Sequence, residues 1–192
     1  RVPVVILGQR LDGFSCVYQD DFHAALQITE RMLRHGRIPA YIGVTDRDEA
    51  VGLSRRKGCE AALAAAGIPM RPELMVEGDF SIESGSKNMQ SLLEKEPKLD
   101  CVFCATDNIA VGAAACLKSA GKQIPRDVQV AGTGDTPIGR YVTPGLTTVH
   151  FYYKTSGKEA AAMLVEQMED GRSVNKELKM GFEIIENGST IS

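Results

Sequence analysis

The glycine-rich stretch that follows Gly132 is where residue types and spacing in this sequence could do chemistry. It comes directly after Val128–Gly132, an apolar run with the composition of a buried strand, and it contains Gly134 and Asp135. A Gly-x-Gly pair after a strand suggests a dinucleotide site, but that fingerprint needs a third glycine where this chain has Pro137. A proline there would also interrupt the helix that should face the pyrophosphate. The pattern argues against nucleotide binding and leaves the loop as a candidate for another ligand.

The sequence contains fragments of catalytic motifs but no complete one. Ser54-x-x-Lys57 and Ser84-x-x-Lys87 match the Ser-x-x-Lys motif of penicillin-recognising enzymes, yet its Ser-Asp-Asn and Lys-Thr-Gly partners are absent from the sequence. No two of the histidines are paired at metal-ligand spacing: His23, His35 and His150. These patterns predict a protein that is not an enzyme and that uses neither a cofactor nor a metal ion.

The five cysteines are odd in number and lie in apolar surroundings. This is typical of small core residues in a reducing cytosol rather than of a disulfide framework. Cys101 and Cys104 are close enough in sequence to suggest a shared metal, but Val102 and Phe103 between them favour a strand. Residues three apart in a strand point to opposite faces. The pattern therefore indicates a cytoplasmic protein whose cysteines pack in the core.

The overall composition is that of a globular chain, since 43% of the 192 residues are hydrophobic and 24% are charged. The formal net charge is −3 and the pI is about 5.7, so the chain lacks the basic excess of proteins that neutralise nucleic-acid phosphates. Its longest apolar stretch, Ile109–Leu117, is far shorter than the ~20 residues that cross a bilayer. The chain by itself is predicted to bind DNA poorly and not to enter a membrane.

Short β-branched runs alternate with longer helical stretches, which predicts an α/β fold with a largely parallel sheet. The predicted strands are Val4–Leu7, Ser15–Tyr18, Ile38–Val44, Leu74–Glu77, Cys101–Ala105, Val128–Gly132, Leu146–His150 and Phe182–Ile185. The predicted helices are Asp21–Gly36, Glu49–Ala66, Ile82–Glu94, Asp107–Gly121, with Asp107 as N-cap, and Thr155–Glu169, which Gly171 would end. Loops that leave the carboxyl ends of strands in such a sheet form the ligand crevice. The loop after Gly132 is therefore a predicted ligand site.

Spacing alone leaves the roles of several side chains open. Arg55 falls in mid-helix, where arginines are usually solvated. Phe80, Phe151, Tyr152 and Tyr153 could stack on the apolar face of a sugar, and core or rim packing explains each of them equally well. On these grounds the chain is an α/β domain with a polar crevice.

Three segments resemble, in order and spacing, the C-terminal half of the lactose/galactose-repressor family of transcriptional regulators. They are Cys101-Val-Phe-Cys-Ala-Thr-Asp107-Asn-Ile-Ala-Val-Gly112, Leu117-x-x-Ala-Gly121-x-x-Ile-Pro125-x-Asp127-Val-x-Val-x-Gly132, and Tyr141-x-x-Pro144-x-Leu146-Thr147-Thr148-Val149. Arg55-x-x-Gly58 and Gly78-Asp79-Phe80 agree with the same pattern. The resemblance extends over nearly all of the chain.

The resemblance implies a fold like that of periplasmic sugar-binding proteins, with two doubly wound parallel-sheet subdomains joined by crossover strands. The N-terminal subdomain would hold residues 1–36 and 151–172, and the C-terminal subdomain would hold residues 37–150 and 173–192. The first strands of the N-terminal subdomain and the helix-turn-helix that binds operator DNA are then expected to lie outside this chain. A homodimer is expected as well.

Carried over by position, the resemblance implies that the ligand-binding residues are Arg55, Phe80, Thr106, Asp107, Gly134, Asp135 and Phe151. One departure concerns the loop, where the family usually has two acidic residues after a Gly-aromatic pair. Here Thr133 replaces the aromatic residue and Gly134 replaces the first acid. The loss of that carboxylate favours a bulkier or negatively charged effector, such as a disaccharide or a sugar phosphate.

The function that the resemblance implies is that of the effector-binding domain of a sugar-responsive repressor. Sugar binding would change the angle between the subdomains and so control DNA binding. The alternative is a secreted sugar carrier of an uptake system, which shares the fold but would need a signal peptide before Arg1. The motif from Thr106-Asp107 to Leu146-Thr147-Thr148 favours the repressor.

Overall fold

The computed structural model of the chain describes residues 2–169 and 174–191. Contacts divide them into two compact units. The smaller unit combines the residues up to Asp20 with Phe151–Phe182, and the larger one combines Asp21–His150 with the residues from Glu183 onward. The chain thus passes from one unit to the other three times. The parallel α/β architecture that the sequence predicts is confirmed.

All eight predicted strands and all five predicted helices are present, together with one further strand. The strands are β1 Val5–Leu7, β2 Ser15–Gln19, β3 Pro39–Gly43, β4 Met75–Glu77, β5 Cys101–Cys104, β6 Gln129–Thr133, β7 Thr147–Phe151, β8 Glu177–Met180 and β9 Phe182–Ile185. The helices are α1 Asp21–Leu33, α2 Arg55–Ala65, α3 Ile82–Lys95, α4 Asp107–Ser119 and α5 Tyr153–Glu169. A π-helical turn, Glu49–Ser54, precedes α2, and Asp48 caps it by accepting hydrogen bonds from the amides of Ala50 and Val51.

The larger unit is built on a six-stranded sheet with the order β4-β3-β5-β6-β7-β9. The pairs of β3 with β4, of β3 with β5, of β5 with β6 and of β6 with β7 are all parallel. Helices cover both faces. Gln129 of β6 donates to the carbonyl of Met32 in α1, whereas Gly132, on the opposite face of the same strand, lies against Asp107 and Ala110 of α4. Strand β5 is buried along its whole length, as expected of a central strand between two helical layers.

Glycines permit the close approach of the helix pairs on each face. A Cβ atom at Gly58 of α2 would lie 2.2 Å from the carbonyl oxygen of Phe22 in α1. A Cβ atom at Gly112 of α4 would lie 1.9 Å from the carbonyl oxygen of Ile82 in α3. Any side chain at either position would therefore push the helices apart.

The smaller unit contains a three-stranded parallel sheet, in the order β1-β2-β8, and helix α5. Gln19 at the end of β2 donates to the hydroxyl of Ser156 in α5 at 2.8 Å. Helix α5 is largely exposed, since Met168 is 68% exposed and Ser156 is the only buried α5 residue among those the structure describes.

Two boundaries differ from the sequence-based expectation. Helix α1 belongs to the larger unit rather than to the N-terminal subdomain, because it packs against α2 at Gly58 and its last turn is bonded to β6. The second boundary, expected between residues 172 and 173, lies instead after Phe182, because β8 pairs with β2 of the smaller unit. The helix stop expected at Gly171 lies outside the described residues. In the part of the chain that the structure describes, no helix has the length and apolar character needed to span a membrane.

Candidate functional site

Asp107 forms hydrogen bonds that hold the glycine-rich loop between α4 and β7. It is the first residue of α4 and is fully buried. Its Oδ1 accepts a hydrogen bond from the Thr148 hydroxyl on β7 at 2.6 Å, and its Oδ2 accepts bonds from the amide and hydroxyl of Thr136 at 2.6 and 2.9 Å. Both carboxylate oxygens are therefore engaged in holding the loop between α4 and β7.

The N-cap of α4 is Thr106, and not Asp107 as the sequence suggests. The Thr106 hydroxyl accepts a hydrogen bond from the amide of Ile109, which leaves the Asp107 carboxylate for the loop. Burial raises the pKa of the Asp107 carboxyl above its ordinary value, although the hydrogen bonds from Thr148 and Thr136 oppose that shift. Asp107 thus supplies a buried acid whose contacts are hydroxyl and amide groups.

The loop after β6 depends on glycine at two positions. A Cβ atom at Gly132 would lie 2.5 Å from Oδ1 of Asp107, so a side chain there would displace the carboxylate. Gly134 has a φ of 134°, which L side chains rarely adopt, and it is followed by Asp135 with a φ of 48°. The backbone therefore turns sharply at the carboxyl end of β6, directly beside Asp107.

Asp135 is held by groups from the loop and from β7. Its carboxylate accepts hydrogen bonds from Arg140, at 3.2 Å to each oxygen, and is 2.9 Å from Nδ1 of His150. Its backbone amide donates to the Thr148 hydroxyl at 3.3 Å. Thr148 therefore contacts both Asp107 and Asp135, and the predicted site residues Asp107, Gly134 and Asp135 form one connected cluster.

Phe80 lies in the turn between β4 and α3. Ser81 caps α3 by accepting a hydrogen bond from the amide of Ser84, and its own amide donates to Asp79 at 2.8 Å. The carbonyl of Phe80 accepts a bond from Asn108, in the first turn of α4, at 3.4 Å. This bond brings the turn next to Thr106 and Asp107. The Phe80 side chain is 45% exposed, so its ring can contact a ligand.

Arg55 is buried and ion-paired, not solvated as its mid-helix position suggests. It is the first residue of α2 and is 5% exposed. Its Nε and NH2 groups each lie 2.7 Å from Oδ1 of Asp21, and NH1 donates to the carbonyl of Ala105 at 2.5 Å. Because Ala105 directly precedes Thr106, Arg55 joins the same end of the sheet as Thr106 and Asp107.

Phe151 is the remaining predicted site residue. It is the last residue of β7 and belongs to the smaller unit. It is 1% exposed, and its ring packs edge-on against Tyr153 and Phe182, with centroids 5.9 and 6.5 Å away. The ring packs in the protein core, so stacking on a sugar would require a change of its surroundings.

The site therefore gathers six of the seven predicted residues at the carboxyl ends of β5 and β6 and in the turn after β4. Sequence reasoning missed the residues that position them, namely Asp21, Asn108, Thr136, Thr148 and His150. Thr148 is part of the Leu146-Thr147-Thr148 motif, which is the one signal that could have pointed to it.

Comparisons with known proteins show the family and the fold of the chain. Residues 31–190 match the periplasmic binding protein-like domain family. The chain is 32% identical over 173 residues to the HTH-type transcriptional regulator CelR of Thermobifida fusca, a match that covers 87% of the chain and 50% of that protein. It is 35% identical over 194 residues to the HTH-type transcriptional repressor PurR of Erwinia tasmaniensis, which covers 98% of the chain and 56% of that repressor.

This chain belongs to the periplasmic binding protein-like domain family. Solved structures of transcriptional regulators, including LacI-family proteins, have the same fold. The complex of the transcriptional regulator CelR with cellobiose has a TM-score of 0.91 at 29% identity, covering 96% of the chain and 58% of that structure. A LacI-family regulator from Enterococcus faecium with bound ribose has a TM-score of 0.89 at 25% identity, covering 98% of the chain and 70% of that structure.

A third similar structure is that of a LacI-family sugar-binding regulator from Escherichia coli in complex with phosphate. It has a TM-score of 0.88 at 25% identity and covers 98% of the chain and 68% of that structure. The chain spans about half the length of the regulators whose sequences it matches, at 50% and 56%. Within the chain, residues 31–190 match the periplasmic binding protein-like domain family.

Proposed function

We propose that this chain is the effector-binding part of a sugar-responsive transcriptional regulator. In this proposal a sugar binds at the carboxyl ends of β5 and β6 and biases the protein between two conformations, and operator DNA is bound by a part of the protein outside this chain. A ligand shifts such an equilibrium only by its different affinity for the two states. The whole protein would act as a cytoplasmic homodimer.

The observation that carries the proposal is the exposed Phe80 ring in a turn that is bonded, through Asn108, to the helix that carries the polar cluster. Aromatic faces bind the apolar faces of sugars, and fixed polar groups orient the hydroxyls. The turn that holds Phe80 is bonded to α4 through Asn108, and α4 begins with Thr106 and Asp107. The complexes of CelR with cellobiose and of the Enterococcus faecium regulator with ribose support a sugar ligand.

Charge balance favours a neutral sugar over a sugar phosphate at Arg55. Asp21 lies 2.7 Å from two nitrogen atoms of the guanidinium, and the pair is buried. Its positive charge is therefore already neutralised, and an anion there would face the Asp21 carboxylate. Together with the small Gly134 in the loop, this favours a neutral disaccharide among the effectors that the sequence leaves open.

Isothermal titration calorimetry of the intact protein tests the proposal. The panel consists of cellobiose, lactose, glucose, ribose, glucose 6-phosphate and inorganic phosphate. We expect heat of binding with at least one neutral sugar and weaker binding of glucose 6-phosphate and of inorganic phosphate than of that sugar. The absence of binding to every sugar in the panel would contradict the proposal. Binding of phosphate alone would contradict the argument from Arg55 and Asp21.

Phe80→Ala is expected to weaken binding of that sugar about 10-fold, because loss of a stacking contact removes on the order of 1–2 kcal/mol. Met70→Ala is the matched control. Met70 is a large apolar side chain with similar exposure, 48% against 45%, and it lies beyond the far end of α2. We expect it to leave the affinity unchanged. Equal losses in both variants would mean that Phe80 does not contact the sugar.

The alternative of a secreted sugar carrier makes a different prediction. A carrier would bind the sugar without any effect on DNA. The sequence relatives are named as HTH-type regulators, which favours the regulator. A fluorescence-anisotropy titration of the protein with DNA from upstream of its own gene, with and without the sugar, separates the two. A sugar-dependent change in DNA affinity supports the regulator, and no DNA binding at all supports the carrier.

A further inference from the structure

Two buried hydroxyls near Arg55 have no hydrogen-bond partner. In the part of the chain that the structure describes, four buried side-chain oxygens are unpaired, those of Gln19, Thr29, Tyr41 and Thr133. The amide nitrogen of Gln19 is bonded to Ser156, and the Thr29 hydroxyl interacts with the Cys59 thiol. The hydroxyls of Tyr41 and Thr133 remain, in side chains that are 2% and 3% exposed.

Both hydroxyls lie on the same face of the sheet and at a similar position along the direction of the strands. Tyr41 pairs in register with Phe103, and Phe103 pairs with Ala131, so all three point to one face, as does Thr133 two residues further along β6. The Tyr41 ring extends along the strand, because a Cβ atom at Gly43 would lie 3.1 Å from its hydroxyl oxygen.

Arg55 is bonded to the end of β5, the strand between those that carry the two hydroxyls. In the same register, Gly43 and Thr133 are level with Ala105 on the intervening strand, and the Ala105 carbonyl accepts the bond from Arg55. Helix α1 covers this face in the opposite direction to the strands. Its last turn lies over the start of β6, where Gln129 bonds to Met32, and its first residue, Asp21, is paired with Arg55.

Unpaired buried hydroxyls are unusual in a protein core because they lower the stability of the folded state. A buried hydroxyl without a partner costs stability, and replacing it with an apolar group of the same shape is neutral or favourable. Two such hydroxyls lie on β3 and β6, the strands on either side of β5, towards the carboxyl end of the sheet, where ligands bind in open α/β folds. The charge of Arg55 is balanced by Asp21, so the surroundings suit an uncharged polar group.

We propose that Thr133 is a specificity-determining residue, whose hydroxyl forms a hydrogen bond with an uncharged hydroxyl group of the effector sugar beside the Arg55–Asp21 pair. This inference rests on the proposed function and adds a named contact to it. It gives the unpaired hydroxyl a partner in the bound state. The same reasoning applies to Tyr41 on β3, and burial raises the pKa of its hydroxyl, which keeps it neutral.

Thr133→Val in the intact protein tests the proposal through two readouts of opposite sign. Valine keeps the shape of threonine and removes the hydroxyl. We expect the melting temperature of the free protein to stay the same or to rise, by up to about 2–4 °C. Affinity for the neutral sugar found in the calorimetric panel is expected to fall about 3- to 10-fold. Tyr41→Phe is expected to change both quantities in the same directions.

Thr147→Val is the matched control, with the same substitution on the same face of the neighbouring strand. Thr147 pairs in register with Ala131, and its hydroxyl contacts the carbonyl and amide of Asn187 and the hydroxyl of Thr190, at 2.9, 3.1 and 2.8 Å. Because valine would leave these partners unsatisfied, we expect a melting temperature lower by about 4 °C or more.

A deoxy analogue of the bound sugar sharpens the binding test. If Thr133 contacts one sugar hydroxyl, the wild-type protein binds the analogue that lacks this hydroxyl more weakly than it binds the sugar. The loss of affinity equals the loss that Thr133→Val causes for the sugar, and the variant binds the analogue as tightly as the wild type does. The proposal is overturned if Thr133→Val lowers the melting temperature as Thr147→Val does, since its hydroxyl then has a partner inside the free protein. It is also overturned if the variant binds the sugar as tightly as the wild type does. If the wild type binds no sugar of the panel, the proposed function itself fails.

Discussion

Arg55→Ala would remove the positive member of a buried ion pair, and its effect on stability follows from the surroundings of that pair. Arg55 and Asp21 are 5% and 4% exposed, and Arg55 also bonds to the Ala105 carbonyl. Removing one partner of a buried pair leaves the other charge poorly compensated, which lowers the free energy of unfolding by about 3–5 kcal/mol. For a chain of this size, that corresponds to a melting temperature lower by about 10 °C. Urea denaturation followed by circular dichroism measures the loss directly.

Arg56→Ala is the natural comparison because the two arginines are adjacent. Arg56 also forms ion pairs, with Asp46 and Glu60, but its side chain is 36% exposed. Exposed pairs contribute about 0–1 kcal/mol, so the loss should be small. A double variant, Asp21→Leu with Arg55→Met, should recover most of the stability lost in Arg55→Ala. The argument is refuted if the two single variants lose the same stability, or if the double variant is as unstable as Arg55→Ala.

Two further predictions concern Asp107 and Gly112. Burial raises the folded-state pKa of Asp107 above its unfolded value of about 3.9, so the folded protein binds this proton more tightly and its free energy of unfolding should fall as the pH rises between those two values. Asp107→Asn should make that fall less steep in urea titrations over a pH series, and an unchanged slope would show that Asp107 does not titrate in this way. Gly112→Ala should lower the free energy of unfolding by about 3 kcal/mol or more, because its Cβ atom would lie 1.9 Å from the Ile82 carbonyl oxygen. Gly157→Ala, whose Cβ atom would have no atom within 4 Å, should stabilise helix α5 by about 0.5–1 kcal/mol. Thermal melts of the two glycine variants decide this, and equal effects would contradict it.

The central strands could be predicted from the sequence because their residues are apolar on both faces. All four residues of β5 are buried, and its apolar run stands out without any knowledge of the neighbouring strands. Strand β8 has the opposite character. Its residues Glu177–Met180 alternate between exposed and half-buried, and no apolar run marks them. It is a strand because it pairs with β2, and a local pattern does not report that pairing.

The helices illustrate the same limit. Periodicity predicts that α5 is a helix, but Val165 and Met168 on it are 52% and 68% exposed, so the pattern does not report what the helix packs against. In α4 the sequence predicts the start of the helix within one residue, but it indicates Asp107 rather than Thr106 as the cap. The two residues are adjacent and both can cap a helix, so local sequence cannot separate their roles.

The positions of the site residues follow from local patterns, whereas their roles follow from long-range contacts. Asp107 is bonded to Thr136 and Thr148, which are 29 and 41 residues away, and Arg55 is bonded to Asp21 at a separation of 34 residues. No spacing rule in a single sequence connects residues so far apart. The sequence therefore predicts that Arg55 is a solvated helix residue, whereas in the structure it belongs to a buried ion pair.

The contacts of Thr148 also explain how a ligand at the loop could act on the rest of the protein. Thr148 bonds to Asp107 on α4 and accepts from the Asp135 amide in the loop, so any shift of the loop changes the contacts of β7. Strand β7 continues to Phe151, where the chain passes into the smaller unit. Packed elements respond to small displacements by switching between discrete arrangements rather than by bending. A loop held to β7 by a buried carboxylate is thus physically suited to couple effector binding to a strand that connects the two units.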